Sequence, residues 1–210
     1  YPESVIIAII STHFTERGEI SLINKWDKTK LALTYGIDLV IELPTLYATQ
    51  SADIFSKAAL KVLNNLKIDT LVFGSESDDV TTLVNLANIQ LNDQNYNKLV
   101  KNYLEDGINY PTAMSKALYE LSKIKIDKPN DLLALSYIKE IIKNKYPIEP
   151  VSIKRTNDYH GKKIDSNIIN ASLIRELLQN NKDISAYVPN ETLKYINNIS
   201  LNDAYNYLKY

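Results

Sequence analysis

The residues of this sequence best suited to chemistry lie late in the chain, between Val151 and Leu178, where a polar excursion runs into an abrupt helix start. Asn170, Ala171 and Ser172 stand just before an apolar-periodic run of Leu173, Ile174, Leu177 and Leu178, the pattern of a helix N-terminus. The free N–H groups and positive dipole end of such a terminus attract anions. Ser172 adds a hydroxyl and Arg175, one turn in, adds a guanidinium. Aimed at one place, these groups suit a polyphosphate. The same residues also serve as an ordinary N-cap followed by a solvated charge, and the segment alone leaves both readings open.

Two further positions carry the same ambiguity. Gly74, in the run Leu71 to Glu76, lets backbone approach a ligand closely, or is a plain turn glycine. Asn130 follows Lys128-Pro129 at a helix opening, where it could face a ligand or simply cap the helix.

The elements that must position these residues alternate. Ser4–Ile10 is a continuous β-branched run of the kind found in a strand covered on both faces, and Asp38–Leu43 and Asp69–Phe73 repeat it. Helical periods at 21–35, closed by Gly36, and at 52–66 separate them. Such alternation predicts a parallel, right-handed α/β sheet with ligands at the carboxyl ends of its strands, which places 11–19, Glu42 and Gly74–Glu76 on one rim. Residues 80–145 change to polar helical segments, a strand returns at 150–154, and short helical pieces are expected at 190–197 and 201–209. A strand beginning almost at the first residue, and a tail ending in mid-pattern, lead us to expect a chain lacking an N-terminal segment and most of a C-terminal module.

Composition narrows the chemistry. Lys and Arg number 24 against 25 Asp and Glu, so no overall basic character points to nucleic acid. Between Lys123 and Lys163, however, ten Lys or Arg stand against five Asp or Glu, which permits a basic face and equally a solvated surface. The absence of cysteine excludes disulfides and thiolate metal sites and fits a reducing compartment. With two histidines, His13 and His160, a multi-histidine metal site is not expected, and no apolar run reaches membrane-spanning length.

Taken in order, FTERGE (14–19), NKW (24–26), GIDLVIELP (36–44), ADIFSKAA (52–59), LVFGSE (71–76), INYPTAMSKAL (108–118), PNDLLALSYIK (129–139), IKR (153–155), YH (159–160), INASLIR (169–175) and YVP (187–189) resemble the bacterial tRNA(Met) cytidine acetate ligases across nearly the whole chain. That resemblance implies an α/β, Rossmann-like parallel sheet flanked by helices, of the nucleotidyltransferase or HIGH-superfamily type. Residues 1–180 would form the ATP-binding catalytic domain, with a helical insertion at about 80–145, and 181–210 the start of a helical C-terminal module. The implied enzyme activates acetate with ATP, accompanied by Mg2+, as acetyl-adenylate. It then acetylates N4 of the wobble cytidine of elongator tRNA(Met), in the cytoplasm and off the membrane. The resemblance assigns ATP contacts to Gly74, Asn130 and Arg155. Thr156, Ser172 and Arg175 are added candidates, the last two for the phosphates.

Departures from the family matter as well. Its members open with a strand and EYNPFHNGH, whose histidines lie under the ATP phosphates; this chain begins where the second strand stands. No catalytic residue is therefore assigned, and the chain as it stands is expected to be impaired. Ser11-Thr12-His13-Phe14 replaces the usual Ser-Gly-Asn-Phe, so His13 either supplies a donor or is a rim substitution without catalytic duty. Two other functions stay open: a small-molecule adenylyltransferase of the same superfamily, and a non-catalytic RNA-binding relic. The oligomeric state is not legible from the sequence.

Overall fold

The computed structural model describes residues 3–155, 168–196 and Tyr205. In chain order the elements are β1 (Ile7–Ser11), α1 (Lys25–Thr34), β2 (Leu39–Leu43), α2 (Thr45–Ala48), α3 (Ala52–Asn65), β3 (Thr70–Ser75), α4 (Val80–Asn92), α5 (Gln94–Glu105), α6 (Tyr110–Ser122), α7 (Pro129–Asn144), β4 (Glu149–Lys154), α8 (Ala171–Gln179) and α9 (Asn190–Leu193). They gather into two compact units, Tyr1–Ser51 with Asn157–Tyr210, and Ala52–Thr156. No helix among the described residues is long and apolar enough to cross a membrane.

In the first unit β1 and β2 pair in parallel, Ile7 with Leu39 through Ser11 with Leu43. The run read as a strand from Ser4 pairs only from Ile7, because the Ile6 N–H donates to the Asp38 carboxylate at 2.8 Å instead of to a ladder carbonyl. These strands are less covered than the sequence led us to expect. Every β1 residue is half-buried, and in β2 only Leu43 is buried. The β-branched run thus reports strand propensity, while the covering that would bury it is not found among the described residues.

α1 starts later than the periodicity implied, at Lys25, since the Asn24 side chain accepts the Asp27 N–H at 3.0 Å and caps the helix there. It stops at Gly36, whose φ of +95° is left-handed; the Ile37 and Gly36 N–H groups return to the Ala32 and Leu33 carbonyls.

In the second unit β3 and β4 pair in parallel from Thr70 with Glu149 to Ser75 with Lys154. Strands adjacent in the sheet are therefore separated in sequence by all of α4 to α7. Phe73, Leu83, Leu86, Ala87, Ala117, Leu135 and Ile138 are among the buried side chains that join β3 to that helical segment. A second cluster of Leu60, Ile141 and Ile148 ties α3 and α7 together. α7 is buried on two sides, which gives it little freedom to shift. Its N-terminus is consequently a fixed point beside the carboxyl end of β3.

Candidate functional site

Three of the residues singled out in the sequence come together in the second unit. Along β3, Phe73 and Ser75 point into the core and Gly74 is exposed. The chain leaving β4 continues the ladder by one bond, the Arg155 N–H donating to the Ser75 carbonyl at 2.8 Å. Arg155 then folds back over Gly74. A Cβ at position 74 would lie 3.4 Å from Arg155 Cγ, 3.5 Å from Cδ and 3.9 Å from Nη1. Glycine here leaves a shelf beneath the guanidinium that a side chain would fill.

Asn130 is tied to Glu76, two residues beyond Gly74, and not as a cap. Proline fills the first helical position of α7, and its cap residue, Lys128, makes no side-chain cap hydrogen bond. The free N–H groups must go elsewhere. They go to Glu76, whose carboxylate accepts the Asn130 N–H at 3.3 Å, the Asn130 Nδ2 at 2.7 Å and the Asp131 N–H at 2.9 Å. Asp131 answers in the opposite direction. Its buried carboxylate accepts Ser75 Oγ at 2.5 Å, the Glu76 N–H at 3.0 Å, and the Ser77 N–H and Oγ at 3.2 and 3.1 Å. Two carboxylates, each accepting from the other's segment, lock the β3–α4 loop to the start of α7. Asn130, its amide nitrogen held by Glu76, is left with its oxygen as the group a ligand would meet.

Ser172 and Arg175 belong to the first unit. Asn170 is the cap of α8, its Oδ1 accepting the Leu173 N–H at 2.8 Å, so Ser172 is an exposed second residue of the helix and not its cap. Arg175 pairs with Glu19 at 3.5 Å, while its Nε is buried without a hydrogen-bond partner. Glu19 is delivered by a tight loop in which Phe14 bridges Ile20 and Gly18 takes a left-handed φ of +76°. His13 is exposed on that loop, its carbonyl accepting the Ser21 N–H at 2.9 Å. Thr156 and His160 lie outside the described residues.

Lys28 was not singled out in the sequence. Its ammonium donates to the carbonyls of Ser11 and Thr12, both at 2.8 Å, where β1 ends. Burial, and then the charge of Arg175, hold its pKa below the ordinary lysine value. Two cations that repel each other thus share this strand end. Nothing in the local sequence announces it, since the contacts cross from α1 to β1 and α8. The Glu76–Asp131 exchange was hidden for the same reason, although a proline-opened helix with no capping side chain is a sign that its cap must come from elsewhere.

A model of the HIGH nucleotidyl transferase family matches residues 1–210. A Mesomycoplasma hyopneumoniae protein named tRNA(Met) cytidine acetate ligase is 45% identical over 190 residues, covering 90% of this chain and 60% of the relative. A Mycoplasma mobile protein of the same name is 38% identical, covering 90% and 64%. The chain thus spans about 60% of the length of these curated relatives. Among solved structures, Thermotoga maritima TmcAL bound with alpha-thio ATP matches with a TM-score of 0.79 at 29% identity, over 90% of this chain and 47% of that one. The α/β architecture with parallel strands flanked by helices, found independently in both units, is that of these relatives. On the match along its whole length, the chain belongs to the HIGH nucleotidyl transferase family.

Proposed function

We propose that this chain is the ATP-using part of a tRNA(Met) cytidine acetate ligase. The observation that carries the reading is the assembly of Gly74, Asn130 and Arg155 at the carboxyl ends of β3 and β4, with each residue presented by a defined contact. An exposed glycine shelf admits a flat or anionic group, Arg155 supplies a cation above it, and the Asn130 oxygen accepts from a ligand N–H or O–H. Ser172 and Arg175 serve the phosphates, and Thr156 belongs to the same proposal. The residues 1–180 form the ATP-binding domain, with 181–210 beginning a further helical module.

In the reaction, an oxygen of acetate attacks the α-phosphorus of ATP, the bond to the bridging oxygen breaks, and pyrophosphate leaves. The N4 amine of the wobble cytidine then attacks the acetyl carbon, the bond to AMP breaks, and N4 loses a proton to solvent or base. Arginines act here by holding charge as it develops on the leaving phosphates. Mg2+ would accompany ATP in this reading, bound to its phosphate oxygens. A cytoplasmic location goes with this reading.

The test is ATP–pyrophosphate exchange in the whole protein. Exchange that rises with acetate supports the ligase. Exchange stimulated only by another acid or a mononucleotide points to a small-molecule adenylyltransferase, and tRNA binding with no exchange to a non-catalytic RNA-binding protein.

A further inference from the structure

Beside the first unit's strand pair lies a hollow of about 230 Å³, lined by residues that include Ile10, Val40, Trp26, Lys25, Glu42 and Thr12. Its character is unusual for a bare surface. Trp26 is 69% exposed, a large ring left in water at the start of α1. Ile10 and Val40 are half-buried apolar residues of the paired strands β1 and β2. On the rim, Lys25 Nζ meets Glu42 Oε2 at 2.8 Å and lies 5.1 Å from the Trp26 ring centroid. An aromatic plane, an apolar lining, and a donor beside an acceptor form a set that matches one class of ligand: a nucleobase with an amino group next to a ring acceptor.

We propose that this hollow binds the cytosine base that is to be acetylated, an assignment that rests on the ligase reading above. Cytosine presents an N4 amine to donate, with N3 and O2 to accept. Glu42 takes the amine, Lys25 supplies the acceptors, and Trp26 stacks on the ring. Size favours a single base over a whole nucleotide, since the hollow is smaller than the roughly 300–1,000 Å³ of ordinary small-molecule pockets. Position within the unit agrees. Thr12 lines the hollow, and its carbonyl accepts from Lys28, the ammonium that shares the strand end with Arg175. The base pocket and the cation pair therefore meet at one residue.

Uracil reverses the edge, placing a carbonyl where cytosine has its amine, so the pocket should discriminate between them. Trp26 is the single tryptophan of the chain and reports directly. The experiment titrates the 210-residue chain with two RNA hairpins that differ only in cytidine or uridine at the wobble position of the loop, following tryptophan fluorescence. Cytidine should quench at about tenfold lower concentration, the discrimination expected of one good paired contact. Glu42→Gln, which exchanges an exposed ion-pair partner of little structural value, should reduce the preference to within about twofold. Equal quenching by both hairpins, no quenching by either, or a preference that survives in Glu42→Gln would overturn the assignment. Acetate-dependent exchange in the unmodified whole protein is scored separately, so failure of the ligase reading and failure of the pocket give different results.

Discussion

The α7 start in the second unit and the β1 end in the first both gather charged groups at the carboxyl end of a strand, and they do so in opposite ways. At α7 the carboxylates of Glu76 and Asp131 accept between them from seven donors on the facing segment, and the network is complete without any ligand. At β1 the cations Lys28 and Arg175 lie near each other, Lys28 partly buried, with the Arg175 Nε buried and unpartnered and, among the described residues, the Glu19 carboxylate at 3.5 Å. The first arrangement holds a shape. The second, among the described residues, sets two cations against the Glu19 carboxylate. Each has its own use: a shape held in advance can position a group that docks on it, and an excess of cations costs less once an anion arrives.

The sharpest way to break this comparison is to remove Asp131. Asp131→Ala leaves the buried Ser75 hydroxyl and the part-buried N–H groups of Glu76 and Ser77 without this acceptor, so stability should fall by about 2 kcal/mol, read from the urea midpoint. A loss below about 0.5 kcal/mol would show that the network is ornamental.

Tyr96 tests the rigidity of the same unit from its core. Burial pushes its hydroxyl up to about 12 from the ordinary 10. Between those values the folded chain keeps the proton and the unfolded chain has lost it, so stability is full below pH 10 and declines as pH rises toward 12. The loss should approach about 2–3 kcal/mol, and Tyr96→Phe should abolish that part of the alkaline slope.

The β1 end should behave in the other way. Arg175→Ala removes a long, partly exposed ion pair of little worth, so the urea midpoint should scarcely move. The ATP concentration needed for exchange in the whole protein should nonetheless rise about tenfold, as for the loss of one charge-assisted contact. Asn130→Ala should raise it similarly, and normal ATP dependence in either variant would remove that residue from the site.

The smallest effect is expected at the basic stretch of the α6–α7 connection. Lys125 is already paired with Asp127 at 2.7 Å, so neutralising Lys123 and Lys128 should weaken tRNA binding more than neutralising Lys125, and should flatten its salt dependence. Unchanged affinity would place the tRNA surface elsewhere.

What could be read from the sequence follows from the range of the interactions. A helix start with its own cap was legible at Asn170, because the capping side chain lies three residues from its donor, whereas the equally local cap at Asn24 was passed over for an earlier start. Strands were legible from β-branched runs. Which strand pairs with which was not, since β3 meets β4 only after the helical segment between them has packed. Asn130 illustrates the limit well: its neighbourhood reads as a local cap, yet its partner is Glu76, 54 residues away. Lys28 was invisible because its value depends on carbonyls and an arginine from three separate elements. Gly74 and Arg155, named separately from the sequence, turned out to be a single contact.

The pairing of β3 with β4 also has a consequence for how the molecule is made. Strand β3 is synthesised long before its partner, and its edge must wait while α4 to α7 collapse on nearby contacts, the faster kind of event. The Arg155 amide should therefore gain protection from hydrogen exchange later in refolding than the amides of those helices. The Gly74–Arg155 edge of this unit would then be the last part of it to exist, its scaffold finished before the edge is.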